Sequence, residues 1–304
     1  MTFTATVQPS GRSFSVTRDE PILAAAIREG IGLPYGCKDG ACGSCKSRLL
    51  EGRVIHGAHQ ARALSADEEA AGFILPCCAA PQTDVVIEAR TVPGAGAFPV
   101  RKMPTRVISI AKPAPDVAVL KMQLPANDVL RYHAGQYVEF ILRDNARRSY
   151  SMANAPHTQD DKPFIELHIR HMPGGLFTEQ VFSTLKAKDI LRIEGPFGSF
   201  FLREDTAQPM VLLASGTGFA PIKAIIEYMQ LKRIERPATL YWGCRMRADL
   251  YLHDWALQVC QQLPQLRYVP VLSEPRPEDG WRGRTGLVHH AVMADLPDLS
   301  GHQG

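Results

Sequence analysis

Five of the seven cysteines lie in the first 80 residues, and three of these fall in one short glycine-rich stretch. The stretch YGCKDGACGSCK contains Cys37, Cys42 and Cys45, and its glycines make it a poor helix or strand. Two adjacent cysteines, Cys77 and Cys78, follow in the stretch LPCCAAP. Because thiolates are preferred ligands of zinc and of iron–sulfur clusters, this clustering predicts a metal centre.

The spacing of these cysteines predicts a [2Fe–2S] cluster. Four residues separate Cys37 from Cys42, two separate Cys42 from Cys45, and a distant fourth cysteine completes the plant-type pattern. Glycines at 36, 40 and 43 let the chain wrap closely, so that backbone N–H groups can reach the cluster. A structural zinc site usually has a second close cysteine pair, and a thioredoxin-like C-x-x-C follows a βαβ start. From the residues alone, the fourth ligand is either Cys77 or Cys78.

The stretch RRSYSMAN (147–154) combines three side chains that suit a flavin. The planar guanidinium of Arg148 matches a pyrophosphate, the ring of Tyr150 can stack on an isoalloxazine, and the hydroxyl of Ser151 can donate to a ring nitrogen. About twenty residues later, HIRHMPGGLFT contains a glycine turn and a helix start, where backbone N–H groups favour anions. Together the two stretches predict a bound flavin nucleotide.

A third stretch, MVLLASGTGFAPIKA (210–224), predicts a strand, a glycine turn and a helix. Gly216, Thr217 and Gly218 would present their backbone N–H groups at the helix N-terminus, which suits a pyrophosphate. The simpler alternative is an ordinary βα turn that binds nothing. The stretch is not the strict G-x-G-x-x-G pattern, so its meaning depends on the flavin stretch that precedes it.

The elements that must position these residues begin with the segment 1–92. Two alternating runs, FTATV and SFSV, flank the turn PSGR and predict a β-hairpin. DEPILAAAIREG predicts a helix with Pro21 in its first turn and Gly30 at its end, and SADEEAAG predicts a short helix with a capping box. A stretch rich in proline and glycine then predicts a linker at 93–103.

Two further segments follow the linker. Residues 104–204 alternate short strands and turns around one helical patch, LFTEQVFSTL, which predicts a small antiparallel barrel. Residues 205–304 alternate strands and helices, and PIKAIIEYMQLK has apolar residues at i, i+3, i+4 and i+7. This alternation predicts a parallel α/β domain, so the chain is expected to be a multidomain protein.

Charge and composition exclude several classes of protein. A net charge of +3 is too small to indicate nucleic-acid or membrane-surface binding, and no apolar run approaches the roughly 20 residues that span a bilayer. The N-terminus has neither a basic start nor an apolar core, so the predicted location is cytoplasmic. Disulfides are rare there, and Cys244 and Cys260 are expected to be buried apolar residues.

The motifs together resemble the ferredoxin–NADP reductase superfamily, and within it the reductases that carry a ferredoxin domain before the flavin domain. RSYS is similar to the superfamily's R-x-Y-S motif, and GTGFAP to its G-T-G-x-A-P motif. Residues 75–78 resemble the L-x-C-Q motif, which favours Cys77 as the fourth ligand, although Cys78 stands where the family has glutamine. The resemblance covers essentially the whole chain and includes CDP-6-deoxy-delta-3,4-glucoseen reductases and the reductase components of bacterial oxygenases.

The resemblance implies a role for each matched residue. The metal ligands would be Cys37, Cys42, Cys45 and Cys77. The flavin-binding residues would be Arg148, Tyr150, Ser151, His168, Ile169, Gly174, Gly175, Leu176, Phe177 and Thr178, with Tyr150 and Ser151 nearest the reacting atoms. The nicotinamide nucleotide would bind at Gly216, Thr217, Gly218, Pro221 and Arg245, with Arg247 as a further candidate.

The resemblance also implies a fold and a function. The fold would combine a β-grasp ferredoxin domain (α+β), an antiparallel β-barrel flavin domain and an α/β parallel-sheet nicotinamide domain. Electrons from NAD(P)H would pass through FAD to the [2Fe–2S] cluster and on to a separate enzyme, either a CDP-sugar 3-deoxygenation dehydratase or an oxygenase component. NADH is favoured as the donor, and the chain is expected to be a monomer.

The end of the chain favours one alternative. Members of the superfamily continue with a strand that carries a C-G-x-P-x-M motif, whose cysteine lies by the nicotinamide. This chain ends at DLSGHQG, where that strand would begin, so the nicotinamide domain is expected to be truncated and to lack its last strand. The alternative is therefore a non-enzymatic [2Fe–2S] carrier or sensing module with a degenerate nucleotide domain.

Overall fold

The structure is a computed structural model, and it describes residues 1–156 and 163–303. The chain divides into two compact units. One unit comprises Met1–Val100 with Pro196–Phe200, and the other comprises Arg101–Gly195 with Phe201–Gly304. The predicted boundary between residues 204 and 205 therefore falls inside one compact unit, which contains both the barrel and the α/β elements.

The first unit is built on a five-stranded sheet. Its elements are β1 (Thr2–Gln8), β2 (Arg12–Thr17), α1 (Ile22–Arg28), β3 (Ser47–Glu51), β4 (Val54–His56), α2 (Ala66–Ala70), β5 (Phe73–Ile74), β6 (Ala79–Pro81) and β7 (Val85–Glu88). The strand order is β2-β1-β7-β3-β5, and β4 pairs with β6 in a separate ribbon. Strands β1 and β7 run parallel, whereas the other pairs run antiparallel. The cysteine loop lies between α1 and β3.

The local predictions for this unit hold, with one adjustment. The predicted hairpin is confirmed, because β1 pairs antiparallel with β2, and the capping box at the start of α2 is formed. Helix α1 begins at Ile22, so Pro21 lies just before the helix rather than in its first turn. Gly30 follows the helix with a φ of 67°, which is the left-handed conformation that ends many helices.

The second unit contains a six-stranded antiparallel sheet. Its strands are β8 (Arg101–Ala114), β9 (Val117–Gln123), β10 (Tyr137–Ile141), β11 (Arg147–Ser151), β12 (Phe164–Arg170) and β13 (Ile190–Phe197). The order is β11-β10-β13-β8-β9-β12, and a bridge between Met152 and Leu167 joins the two edges into a barrel. Helix α3 (Leu176–Ser183) packs Phe177 against Phe140 at a ring distance of 4.4 Å.

Strand β8 begins at Arg101, inside the stretch 93–103 that the sequence predicts to be a linker. Pro104 has no N–H to donate to a sheet ladder. The structure accommodates it within β8, opposite Arg192 of β13, whereas pairing with β9 on the other side begins only at Arg106. Pro104 therefore lies where β8 has one neighbouring strand.

The remainder of the second unit is a parallel α/β sheet, as predicted. Its elements are β14 (Met210–Ser215), α4 (Phe219–Lys232), β15 (Ala238–Cys244), α5 (His253–Gln262), β16 (Leu266–Leu272), β17 (Arg284–Thr285) and α6 (Val288–Asp295). The order is β14-β15-β16-β17, with all pairs parallel. The predicted apolar face of α4 is buried through Ile222, Ile225, Ile226 and Met229. The carboxyl ends of these strands form the edge where nucleotides bind in such sheets.

Strand β14 lies at one edge of the four-stranded sheet. There, Gln303 forms an isolated parallel bridge with Met210, and its carbonyl accepts a hydrogen bond from the N–H of Val211 at 2.8 Å. In the part of the chain that the structure describes, no helix is both long enough and apolar enough to cross a membrane.

Candidate cofactor sites

The cysteine loop brings its thiols together in two pairs. The N–H of Cys37 donates to Sγ of Cys42 at 3.3 Å, and the N–H of Cys42 donates to Sγ of Cys37 at 3.4 Å. The side chains of Cys45 and Cys77 share a hydrogen bond, and both residues are buried. No group of three or more His, Cys, Asp or Glu side chains among residues 1–156 and 163–303 could hold a single metal ion. Two pairs fit a two-iron cluster with four cysteine ligands.

Backbone groups of the loop point at these sulfurs. The N–H of Ser44 donates to Sγ of Cys42 at 3.5 Å, and the N–H of Gly40 donates to the thiol of Cys77. Gly40 has a φ of 72°, and a Cβ there would lie 2.7 Å from the Cβ of His59. The close wrapping of the loop therefore requires glycine at this position.

The two adjacent cysteines have different surroundings. The hydrogen bond with Cys45 lowers the pKa of the Cys77 thiol to about 6, against the effect of burial. Burial and the charge of Cys77 raise the pKa of Cys78 to about 12. An open recess of about 570 Å³ borders both cysteines and is also lined by Lys38 and Ile55. A group held by Cys77 would therefore lie close to the protein surface.

The short segment Pro196–Phe200 also contacts the cysteine loop, and no motif in the sequence pointed to it. The N–H of Tyr35 donates to Oγ of Ser199 at 2.8 Å, and the hydroxyl of Ser199 donates to the carbonyl of Tyr35 at 3.0 Å. The ammonium of Lys38 lies 3.3 Å from the centroid of the Phe197 ring. Since 164 positions separate Tyr35 from Ser199, no local pattern could have predicted this contact.

In the second unit, Arg148 and Tyr150 lie two residues apart on β11, so their side chains share one face of the strand. The ring of Tyr150 packs against Phe140 and Phe177 at centroid distances of 5.9 and 5.5 Å. Burial raises the pKa of Tyr150 to about 12, although Arg148 lowers it. The phenol is therefore neutral at ordinary pH, and its ring is held in place by two aromatic neighbours.

Ser151 and His168 are placed differently from Tyr150. Ser151 is the last residue of β11, and strand alternation puts its side chain on the opposite face, so its contact with the flavin stays a prediction. The side chain of His168 is 0% exposed, and its nitrogens contact the Tyr251 hydroxyl at 2.9 Å and Glu166 at 3.1 Å. The side chain of Ile169 is also buried. Both side chains are buried, so a contact of His168 or Ile169 with the flavin stays a prediction, as it does for Ser151.

The glycine turn before α3 is held by a side chain of its own helix. The hydroxyl of Thr178 donates to the carbonyl of Met172 at 2.9 Å, so its role is to close the turn. Gly174 has a φ of 76°, and a Cβ on Gly175 would lie 2.6 Å from Oγ1 of Thr178. The turn therefore requires glycine for its shape. Its own N–H groups already donate within the protein, that of Gly174 to Oε1 of Glu179 at 2.9 Å and that of Gly175 to the carbonyl of Met172 at 2.8 Å.

The next two predicted residues, Leu176 and Phe177, lie at the start of α3 and differ in exposure. Phe177 is buried in the barrel core, whereas Leu176 is exposed. Leu176 lines an open cavity of about 750 Å³ between α3, β10 and β13, together with Phe140, Arg143 and Arg192. Two carboxylates, Asp144 and Asp189, line the same cavity, so its two arginines do not give it a net positive charge.

The turn after β14 is the second predicted nucleotide-binding turn. Gly216, Thr217 and Gly218 form one turn of 3₁₀-helix that leads directly into α4, and Pro221 lies in the first turn of α4. The carbonyl of Gly216 accepts a hydrogen bond from Nε1 of Trp242 at 2.9 Å. The turn is thus fixed by a buried tryptophan of the neighbouring strand, β15.

A pocket of about 290 Å³ opens at the carboxyl ends of β14, β15 and β16, as expected for a nucleotide in a parallel sheet. Gly216 and Arg245 line it, together with Arg170, which the sequence did not single out. Asp116 holds both arginines, at 3.0 Å from Nε of Arg170 and 3.5 Å from Nη2 of Arg245. Arg247 does not line the pocket, because its guanidinium donates to the carbonyl of Asp279 at 3.1 Å.

Comparison with known proteins agrees with these three regions. A 2Fe-2S iron-sulfur cluster binding domain matches residues 5–82, an oxidoreductase FAD-binding domain matches 104–202, and an oxidoreductase NAD-binding domain matches 212–303. The CDP-6-deoxy-L-threo-D-glycero-4-hexulose-3-dehydrase reductase of Yersinia pseudotuberculosis serotype I (strain IP32953) is 38% identical over 303 residues, covering 99% of this chain and 88% of that protein. This chain belongs to the three-domain [2Fe–2S], FAD and NAD(P)H reductases.

Other relatives of the reductase serve oxygenases. Terephthalate 1,2-dioxygenase, reductase component 2, of a Comamonas species is 36% identical, covering 97% of this chain and 86% of that protein. Among solved structures, the Amycolatopsis cytochrome P450 reductase GcoB superposes with a TM-score of 0.78 at 34% identity, covering 99% of this chain and 89% of that one. The reductase is therefore an enzyme that transfers electrons from NAD(P)H through FAD to a [2Fe–2S] cluster and supplies a downstream partner enzyme.

Proposed function

We propose that the reductase passes electrons from NADH to a dehydrase that deoxygenates a nucleotide-linked sugar. The observation that carries the electron path is the pairing of Cys37 with Cys42 and of Cys45 with Cys77 beside an open recess. The choice of a dehydrase follows the Yersinia relative, whose identity of 38% extends over nearly the whole chain. A second candidate is an oxygenase, because the Comamonas dioxygenase reductase is almost as similar, at 36%.

In this proposal, each thiol pair holds one iron, with Cys77 as the fourth ligand. Backbone N–H groups of the loop stabilise the charge on the sulfurs. When bound, FAD accepts two electrons together and releases them singly, and the cluster carries one electron at a time. The recess at Cys77 is the side from which a partner enzyme would approach.

The residues of the second unit orient the two nucleotides. Arg148 binds the flavin pyrophosphate, Tyr150 packs against the isoalloxazine, and Ser151 donates a hydrogen bond to it. Backbone N–H groups at the start of α3, at residues 176–178, bind the phosphates of FAD, and those of the turn at 216–218 bind the phosphates of NADH. The remaining predicted contacts, at Phe177, Thr178 and Pro221, act through the backbone or by shaping the turn.

NADH rather than NADPH is the proposed donor. Arg245 is the pocket's candidate for binding a 2′-phosphate, but its guanidinium lies 3.5 Å from the carboxylates of both Asp116 and Asp249. Two carboxylates beside the arginine would repel an added phosphate and compete with it for the guanidinium. NADPH should therefore give a lower kcat/KM than NADH.

The function is tested by mixing the purified reductase with NADH or NADPH anaerobically and following the flavin and cluster absorbance. NADH should bleach the flavin rapidly and then reduce the cluster, with NADPH slower. In steady state, a nucleotide-sugar dehydrase with its substrate should accelerate NADH consumption, whereas a terephthalate-type oxygenase should not. Acceleration by the oxygenase but not by the dehydrase would favour the second candidate. Absence of flavin bleaching with both NADH and NADPH would exclude the reductase function.

Replacement of the two adjacent cysteines should distinguish the fourth ligand. Cys77→Ser is expected to lose most of the cluster absorbance, because Cys77 shares a hydrogen bond with Cys45 and accepts one from Gly40. Cys78→Ser is the matched control and should retain cluster absorbance and iron content. Iron analysis and visible spectra of both purified variants give the answer, and cluster loss in Cys78→Ser alone would reverse the assignment.

A further inference from the structure

A group of charged side chains is buried between the barrel and the α/β part of the second unit. Lys223 of α4 is 7% exposed, Glu166 of β12 is 8% exposed, and His168 of the same strand is 4% exposed. Burying charges costs free energy even when they are paired, and apolar residues of similar size are often as stable. Stability alone therefore gives a weak account of these residues.

The group forms a continuous chain of hydrogen bonds. Nζ of Lys223 lies 3.2 Å from Oε1 of Glu166 and 2.5 Å from Oε1 of Glu227. Nε2 of His168 lies 3.1 Å from the same Glu166 oxygen, and Nδ1 lies 2.9 Å from the hydroxyl of Tyr251. Five side chains from β12, α4 and the segment before α5 are thus connected.

The protonation states give each of these hydrogen bonds a direction. Burial raises the pKa of Glu166, but His168 and Lys223 together lower it to about 2, so the carboxylate is ionised. Burial lowers the pKa of His168, so its imidazole is neutral, and burial raises that of Tyr251 well above its usual value. Nε2–H of His168 therefore donates to Glu166, and Nδ1 accepts from the Tyr251 hydroxyl.

One end of this hydrogen-bonded network leads to the turn at 216–218, which is assigned to the nicotinamide nucleotide and is called the nicotinamide turn below. The ring of Tyr251 packs edge-on against Trp242, with centroids 5.3 Å apart and an interplanar angle of 89°. Trp242 in turn donates from Nε1 to the carbonyl of Gly216 at 2.9 Å. A displacement of the Tyr251 ring would therefore be transmitted, through the tryptophan, to the first glycine of the turn.

The other end of the network leads to the residues that directly follow β11, the strand assigned to the flavin. Nζ of Lys223 donates to the carbonyl of Ala153 at 3.2 Å, and the N–H of Ala155 donates to Glu227 at 2.9 Å. These two alanines follow Ser151 by two and four residues. The buried ammonium and carboxylate thereby fix the chain immediately after the residues assigned to the isoalloxazine.

We propose that Glu166, His168, Lys223, Glu227 and Tyr251 are positioning residues, which hold the nicotinamide turn at a fixed distance from the flavin strand and so control hydride transfer. The inference rests on the proposed assignment of Tyr150, Ser151 and the 216–218 turn to the two nucleotides. None of the five side chains lines the pocket at Gly216. They act through Trp242 and through the backbone of Ala153 and Ala155, without touching the substrate.

The decisive variant is Tyr251→Phe, which keeps the ring and removes the hydroxyl that donates to His168. Small displacements of reacting groups have large effects on rate, so the limiting rate of flavin reduction at saturating NADH should fall by about tenfold. The NADH dissociation constant, flavin content and cluster spectrum should remain at wild-type values. Reduction by dithionite, which needs no nicotinamide alignment, should also proceed at the wild-type rate.

Tyr268→Phe is the matched control. Tyr268 lies on β16, and its hydroxyl contacts Nδ1 of His253, the first residue of α5, at 3.2 Å. The substitution therefore removes a similar tyrosine–histidine hydrogen bond that does not involve the five proposed residues. The control should reduce its flavin at the wild-type rate. Equal slowing in both variants, or slowing in neither, would overturn the inference. If Tyr251→Phe lacks flavin, Glu166→Gln decides by the same measurement, with the same tenfold slowing expected.

Failure of this inference can be distinguished from failure of the proposed function. Wild-type reductase that shows no flavin bleaching with NADH contradicts the function itself. Wild-type reductase that bleaches normally, alongside a Tyr251→Phe variant of equal limiting rate, contradicts only the positioning role.

Discussion

Cys42→Ser is expected to remove the [2Fe–2S] cluster and electron delivery to the partner, while NADH still reduces the flavin. Cys42 exchanges two hydrogen bonds with Cys37 and accepts a third from Ser44, so the substitution removes one member of a thiol pair and disturbs the other. Loss of residues that merely support metal ligands costs about 10–100-fold, so loss of a ligand should reduce delivery by more than about 100-fold.

The flavin should survive this change because the cysteine loop and the flavin strand belong to different compact units. The first unit has its own sheet and buried residues, and β11 lies in the second unit. Iron content, the visible spectrum and stopped-flow reduction of the flavin by NADH measure the two effects separately. Cys260→Ser, on α5, is the control and should keep both signals. Simultaneous loss of flavin from Cys42→Ser would contradict the independence of the two sites.

The cysteine loop could be predicted from the sequence because three of its proposed ligands are close neighbours along the chain. Ligation of a [2Fe–2S] cluster by Cys37, Cys42 and Cys45 would require their fixed spacing. The close approach of the backbone requires glycine at Gly40. The turn at 216–218 is local in the same sense, since a strand, a turn and a helix follow each other directly. Sites built from consecutive residues leave a pattern that the sequence retains.

The contacts that the sequence did not reveal all join distant segments. Ser199 contacts Tyr35 across 164 positions, and Asp116 contacts Arg245 across 129 positions. Such pairs depend on how strands and helices pack, and neither residue type nor local spacing records them. His168 illustrates the same limit, because its contact with the Tyr251 hydroxyl spans 83 positions and no local spacing predicts it.

The second large effect is expected for the double variant Arg148→Ala/Tyr150→Ala, which should lose FAD and all NADH-dependent electron transfer. A hydrogen bond to a charged group contributes about 2 kcal/mol, and stacking of an aromatic ring about 1 kcal/mol. Their sum, about 3 kcal/mol, corresponds to FAD binding weakened by about 100-fold. Both side chains lie on one face of β11, so a single ligand is expected to contact both.

The cluster should remain in this double variant, because no residue of the cysteine loop belongs to the second unit. The flavin-to-protein ratio after gel filtration, titration with added FAD and iron content give the required measurements. Arg106→Ala is a suitable control, since Arg106 is an exposed arginine on β8 of the same barrel. Retention of stoichiometric FAD would show that neither side chain binds the flavin. Partial recovery of NADH-dependent reduction at high FAD concentration would instead indicate that the two residues contribute affinity, while the geometry for hydride transfer is set elsewhere, including by the buried residues around Glu166.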